Sequence, residues 1–200
     1  MANRSETLER ETQTQQTPKT TKNADSMGIR DALVQEFDVE LPYTRRSLER
    51  VPVDQFDWKP HEKSMTLGWL ATFLALVPTW GVMAIEKDEF DPSAASGGRK
   101  PSLPTSSSEL LGMFDKNYAT FRTALAGTSD AHLQTKWTLR SGSDVWFTET
   151  RWLVLREYIL NHIVHHRAQL GVYLRLQGIA VPAIYNDSAD EKGGVLRRDG

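Results

Sequence analysis

The sequence predicts an all-α protein, a four-helix bundle with a long crossover between its second and third helices. Three observations predict it. Four stretches repeat apolar residues at three- and four-residue steps, the signature of one buried helix face. No multi-strand alternation competes with them. The longest gap, from Phe90 to Thr105, is rich in proline, serine and glycine and is long enough to cross a bundle.

Composition bounds the function. Two hundred residues make one domain, or one with tails, and 39% apolar with 25% charged residues is ordinary for a globular chain. A net charge of −2 gives no global attraction for nucleic acid or an anionic membrane surface. The basic residues are scattered, with no basic–aromatic stripe, so no nucleic-acid partner is expected. No run of about 18 apolar residues suggests a membrane span, and the polar start lacks a secretory leader's apolar region. A cytoplasmic protein is the expectation. With no cysteine, disulfides and thiolate chemistry are excluded. Any metal must be held by histidine, carboxylate, carbonyl or water.

Taken in order, residues 1–26 have almost nothing apolar and are expected to form a disordered tail. The bundle is expected over 27–191, with a frayed end over 192–200. Helix one, about 28–50, carries Leu33, Phe37, Leu41, Thr44 and Leu48 on one face, with a kink expected at Pro42. Glu40 falls inside that apolar stripe. Phe56 and Trp58 in the connector should plug the bundle end. Helix two, about 66–89, has Trp69, Leu70, Phe73, Val77, Trp80 and Ala84 on its face and Pro78 within it. Ser106 and Glu109 make a capping box that opens helix three, which runs to Ala126 before Gly127. A short turn at 129–133 precedes a small hairpin or irregular flap over 136–147. Helix four is expected from Thr148–Glu149 to Gln177, with Gly178 as its stop. Ile184 and Tyr185 should pack back on the bundle.

Helix four holds three of the five histidines, within five residues. At about 100° per residue, His162 and His166 fall on one face with Leu155, Ile159, Leu170 and Tyr173, while His165 points away. Two imidazoles one turn apart can grip one metal ion, or can be core histidines hydrogen-bonded to neighbours.

Asp57-Trp58-Lys59-Pro60-His61, Leu70-Ala71-Thr72, and Asn161-His162-x-x-His165-His166-Arg167-x-Gln169-Leu170 in this order resemble the DinB-like (damage-inducible) superfamily. The resemblance implies a four-helix bundle, a homodimer, and a divalent metal, nickel or zinc, held by three histidines. Two of these map onto His162 and His166. The third would follow Leu-Ala-Thr on helix two, where this chain has Phe73. Phenylalanine cannot ligand a metal, so the centre is degenerate as it stands. His61 lies too far along the chain to substitute; Glu40 is the better candidate for an extra ligand or base.

Two functions follow. One is a metal-dependent transferase or hydrolase with His162 and His166 as ligands and Gln169 (or Asn161) orienting them. The other is a metal-free, non-catalytic dimer binding a small apolar ligand in a pocket lined by Phe73, Trp80, Gln169 and Tyr173. The substrate is not legible in the sequence.

Overall fold

A computed structural model describes residues 27–95 and 101–193. The expectations for residues 1–26 and for the chain beyond 193 lie outside these. The helices are α1 (Ile29–Leu48), α2 (Leu67–Glu86), α3 (Pro92–Ala95), α4 (Ser107–Gly127), α5 (Asp130–Leu133), α6 (Arg151–Val154) and α7 (His162–Leu176). A π-helical stretch, Leu155–Asn161, joins α6 to α7. The strands are β1 (Glu89–Phe90), β2 (Lys136–Ser141) and β3 (Asp144–Thr150).

The protein is mostly helical, as expected, with one small sheet. β2 and β3 form an antiparallel hairpin around Gly142, with an irregularity between Leu139 and Arg140. β1 adds to β2 in parallel, pairing Glu89 with Thr138 and Phe90 with Leu139. Helix two therefore stops at Glu86, and its expected last residue, Glu89, is in a strand. Thr148 and Glu149, expected to open helix four, lie in β3, and Thr150 precedes the helix instead.

Side-chain contacts set the helix directions. Asp38 of α1 receives two hydrogen bonds from Arg122 of α4, both 2.7 Å, while Arg45 reaches back to Asp115, so α1 and α4 run antiparallel. Asn117 donates to the carbonyl of Ala75, and Gly81 faces Phe121, so α2 and α4 run parallel. A Cβ on Gly81 would stand 2.4 Å from the Phe121 ring, which is why the helices approach this closely only at a glycine. Leu41 of α1, Leu70 and Leu74 of α2, Phe114 and Phe121 of α4 and Leu170 of α7 are fully buried in one core.

The ends are built as the local sequence dictates. Ser106 caps α4 by accepting from the Glu109 amide, and Glu109 reaches back to the amide and hydroxyl of Thr105. Thr66 caps α2. Asp130, from α5, accepts from the first amides of α1, Ile29 and Arg30. Pro42 and Pro78 both sit inside continuous helices. Arg151, 2% exposed, binds the carbonyls of Ala84 and Lys87 and the carboxylate of Asp88, and so ties the sheet to the end of α2.

α2 is long and apolar enough to cross a membrane by length and composition, which the sequence expectation did not allow for, but most of it is buried against its neighbours. The segment 181–193 is held to the bundle by ion pairs, Glu191 with Arg46 and Arg50 and Asp190 with Arg175, while Tyr185, expected to pack back, stays exposed and reaches Glu40 through its hydroxyl.

Candidate functional site

The π-helical stretch decides how the histidines face. A π turn takes about one residue more than an α turn, so the buried stripe slips by one position along the helix. Leu155 and Ile159 face inward as expected, but beyond them the buried residues are Leu160, Ile163, Arg167, Leu170 and Leu174. His166 remains buried at the stripe's edge, His162 is half-buried, and His165 is exposed.

His162 and His166 stand side by side with ring centroids 4.6 Å apart. Phe73, from α2, packs edge-on against both, at 5.2 Å from His162 and 4.8 Å from His166. Trp80, two turns further along α2, closes the cluster at 5.2 Å from Phe73 and 6.0 Å from His162. Gln169 accepts from His166 Nδ1 at 2.7 Å, and the Tyr158 carbonyl lies 3.3 Å from His162 Nδ1. Carbonyl oxygens only accept, so each Nδ1 carries a proton. A neutral ring then leaves its Nε2 lone pair unused by these bonds. Burial holds both imidazoles below their ordinary 6.5, and the neighbouring histidines push the same way. The pair is neutral at pH 7.

The structure thus brings together Phe73, Trp80, His162, His166 and Gln169. Asn161, the other candidate for orienting a histidine, is engaged by Arg156. Tyr173 lies apart, packed on Trp58 at 5.5 Å and donating to the Met65 carbonyl.

Glu40 does not join the pair. Its carboxylate accepts from Arg167 at 2.6 Å and from the Tyr185 hydroxyl at 2.9 Å. Arg167 is 4% exposed and Glu40 is 12% exposed, so this is a buried ion pair. The sequence presents Arg167 only as part of the helix-four motif, without its pairing to Glu40. The signal was there: a carboxylate inside an apolar stripe needs a cation, and Arg167 adjoins His166 on the facing helix.

Among the described residues no cluster of three histidine, cysteine or acidic side chains could hold a metal ion. The donor set is two imidazoles with a carbon ring against them, which does not fit a three-ligand nickel or zinc centre. Trp80 also borders an apolar cavity. Of the four expected pocket-lining residues it is bordered by Trp80 and not by Phe73, Gln169 or Tyr173.

Comparison with known proteins gives a consistent frame. The family model described as "DinB family" matches residues 29–193. The fold is similar to that of a DinB-like protein from Bacillus subtilis, at 18% identity and a TM-score of 0.58, covering 76% of this chain and 95% of that one. It is similar to a DinB-like protein from Bacillus cereus, at 23% identity and a TM-score of 0.57, with 76% and 95% covered. A protein described as a DinB-family member from Exiguobacterium sibiricum aligns at 19% identity and a TM-score of 0.58, over 77% and 95%. No match is found among curated protein sequences.

Proposed function

The chain belongs to the DinB family, and from that premise we propose that it is a member whose metal centre has become a metal-free site for a small, largely apolar molecule. The scaffold in this reading is a four-helix bundle of α1, α2, α4 and the continuous α6–α7 helix, with the segment between α2 and α4 as its long crossover. The parallel run of α2 and α4 supports that, because parallel neighbours need a connection spanning their length.

One observation carries the functional reading: the Phe73 ring packs against both His162 and His166. It occupies the place where the family resemblance puts a third histidine. A carbon ring supplies no lone pair, and two imidazoles completed by water hold a divalent ion weakly. Glu40 cannot compensate while Arg167 and Tyr185 engage its carboxylate.

What remains is chemically defined. Two neutral imidazoles present Nε2 acceptors beside aromatic walls, and Gln169 fixes the orientation of His166. Such a pair can accept a hydrogen bond, or a proton, from a bound molecule. The homodimer implied by the resemblance belongs to this proposal; Val172 and Leu176, both exposed on α7, offer apolar surface for it.

Calorimetric titration of untagged protein with zinc and with nickel tests the reading. The expected result is no binding at micromolar concentration. About one tightly bound ion per chain, lost in a His162→Ala/His166→Ala double variant, would support the metal-dependent transferase or hydrolase instead.

A further inference from the structure

A cavity of about 310 Å³ lies between the second half of α2, the sheet and the π-helical stretch. Trp80 from α2, Phe90 from β1, Trp137 from β2, Phe147 from β3 and Ile159 are among its walls, and Trp146 borders it at 60% exposure. Phe73, His162 and His166 do not border it, so this space is separate from the imidazole pair. Its lining presents almost no nitrogen or oxygen atom, and the Trp137 Nε1–H is itself closed off.

The hairpin that walls this cavity is tied down at both ends. At its base, Arg151 donates to the Ala84 carbonyl at 2.6 Å and pairs with Asp88 at 2.5 Å, at the end of α2. At its turn, the Gly142 amide donates to Asp91 at 3.1 Å, and Arg140 pairs with Glu89 at 3.3 Å. The space between the middle of the hairpin and α2 is therefore part of the folded geometry. Water gains little there, because an apolar cavity offers it no hydrogen-bond partners. Left dry, a space of this size forfeits the dispersion contacts of every wall, in an interior that otherwise packs closely. A ring compound restores those contacts, and the volume, at the lower end of ligand pockets, suits one or two rings. A hydroxyl, ammonium or carboxylate would be stripped of water with nothing to replace it.

We propose that this cavity is a second binding site, for an uncharged one- or two-ring hydrocarbon without hydrogen-bonding groups, which enters past Trp146. The absence of polar lining sets the class of ligand, and the tied hairpin keeps the site preformed.

The probes are toluene, phenol and benzylammonium, which share one ring and differ in the polar group. Binding is followed by the indole N–H resonances of the ¹⁵N-labelled full chain, and nuclear Overhauser contacts from the toluene methyl group locate the ligand. The proposal expects toluene to shift the Trp146 and Trp80 signals and to contact Phe147 and Ile159. Phenol should bind about tenfold more weakly than toluene, and benzylammonium should cause no shift at the same concentration. No shift at millimolar toluene, contacts confined to residues outside the cavity, or phenol binding as tightly as toluene would overturn the proposal, and all three are read on the unaltered protein. Tight metal binding at the imidazole pair would overturn the metal-free reading and not this one.

Discussion

The ring of Phe73 meets the imidazole of His166 at a centroid distance of 4.8 Å and an angle of 72° between planes. This edge-to-face contact is favourable for two aromatic rings and useless for coordination, since the phenyl ring offers only carbon. It also helps dry the pair, which is why His162 and His166 both titrate below the ordinary histidine range.

That shift predicts a pH dependence of stability. Each imidazole is harder to protonate in the folded protein than in the unfolded chain, whose histidines titrate near 6.5. Above pH 6.5 both states are neutral and the full stability is present. As the pH falls below 6.5 and through the folded values, the unfolded chain takes up protons first and stability is lost. Urea midpoints should therefore drop between pH 7.5 and 5.5, and the drop should shrink in the His162→Ala/His166→Ala protein. Carboxylates held low by partners, such as Asp38 beside Arg122, act only at more acid pH.

The Glu40–Arg167 pair predicts a structural role. Glu40→Ala leaves a buried guanidinium with only uncharged partners, the backbone carbonyl at position 40 and the hydroxyls of Thr44 and Tyr185. The loss should be about 3 kcal/mol in urea unfolding, with Glu40→Gln milder. Zinc affinity should not change in either variant. A loss below about 1 kcal/mol would contradict the assignment of this pair as a buried strut.

How much of this was legible in the sequence differs by element. α1, α2 and α4 follow from their 3.6-residue periodicity, and the Ser106–Glu109 cap marked the start of α4 to within a residue. The sheet was half visible. The hairpin around Ser141-Gly142-Ser143 had a signal, but β1 has two residues, and its parallel pairing with β2 is a long-range choice no local pattern encodes. The π-helical stretch was invisible because a periodicity reading assumes 100° per residue throughout, and that assumption misplaced His162. The degenerate centre was legible only because Phe73 follows Leu-Ala-Thr; the ion pair that removes Glu40 from it was not, since the partner lies 127 residues away.

Close packing of α2 on α4 predicts that Gly81→Ala is destabilising by about 2 kcal/mol, because its methyl group would press into the Phe121 ring. Phe121→Leu should recover part of that loss when combined with it, the two effects being non-additive. Thermal unfolding of the two single variants and the double variant checks this. Strict additivity would show that the two residues do not touch.

The central claim is that Phe73 stands where a metal ligand would be, and Phe73→His tests it most directly. The ring it replaces faces both imidazoles, so the new histidine would complete a three-nitrogen set with His162 and His166. Calorimetric titration with zinc should show at least about a tenfold gain in affinity over the unaltered protein, with one ion per chain. The gain should vanish when His166→Ala is added. No gain in Phe73→His, or tight zinc binding already present in the unaltered protein, would contradict the account.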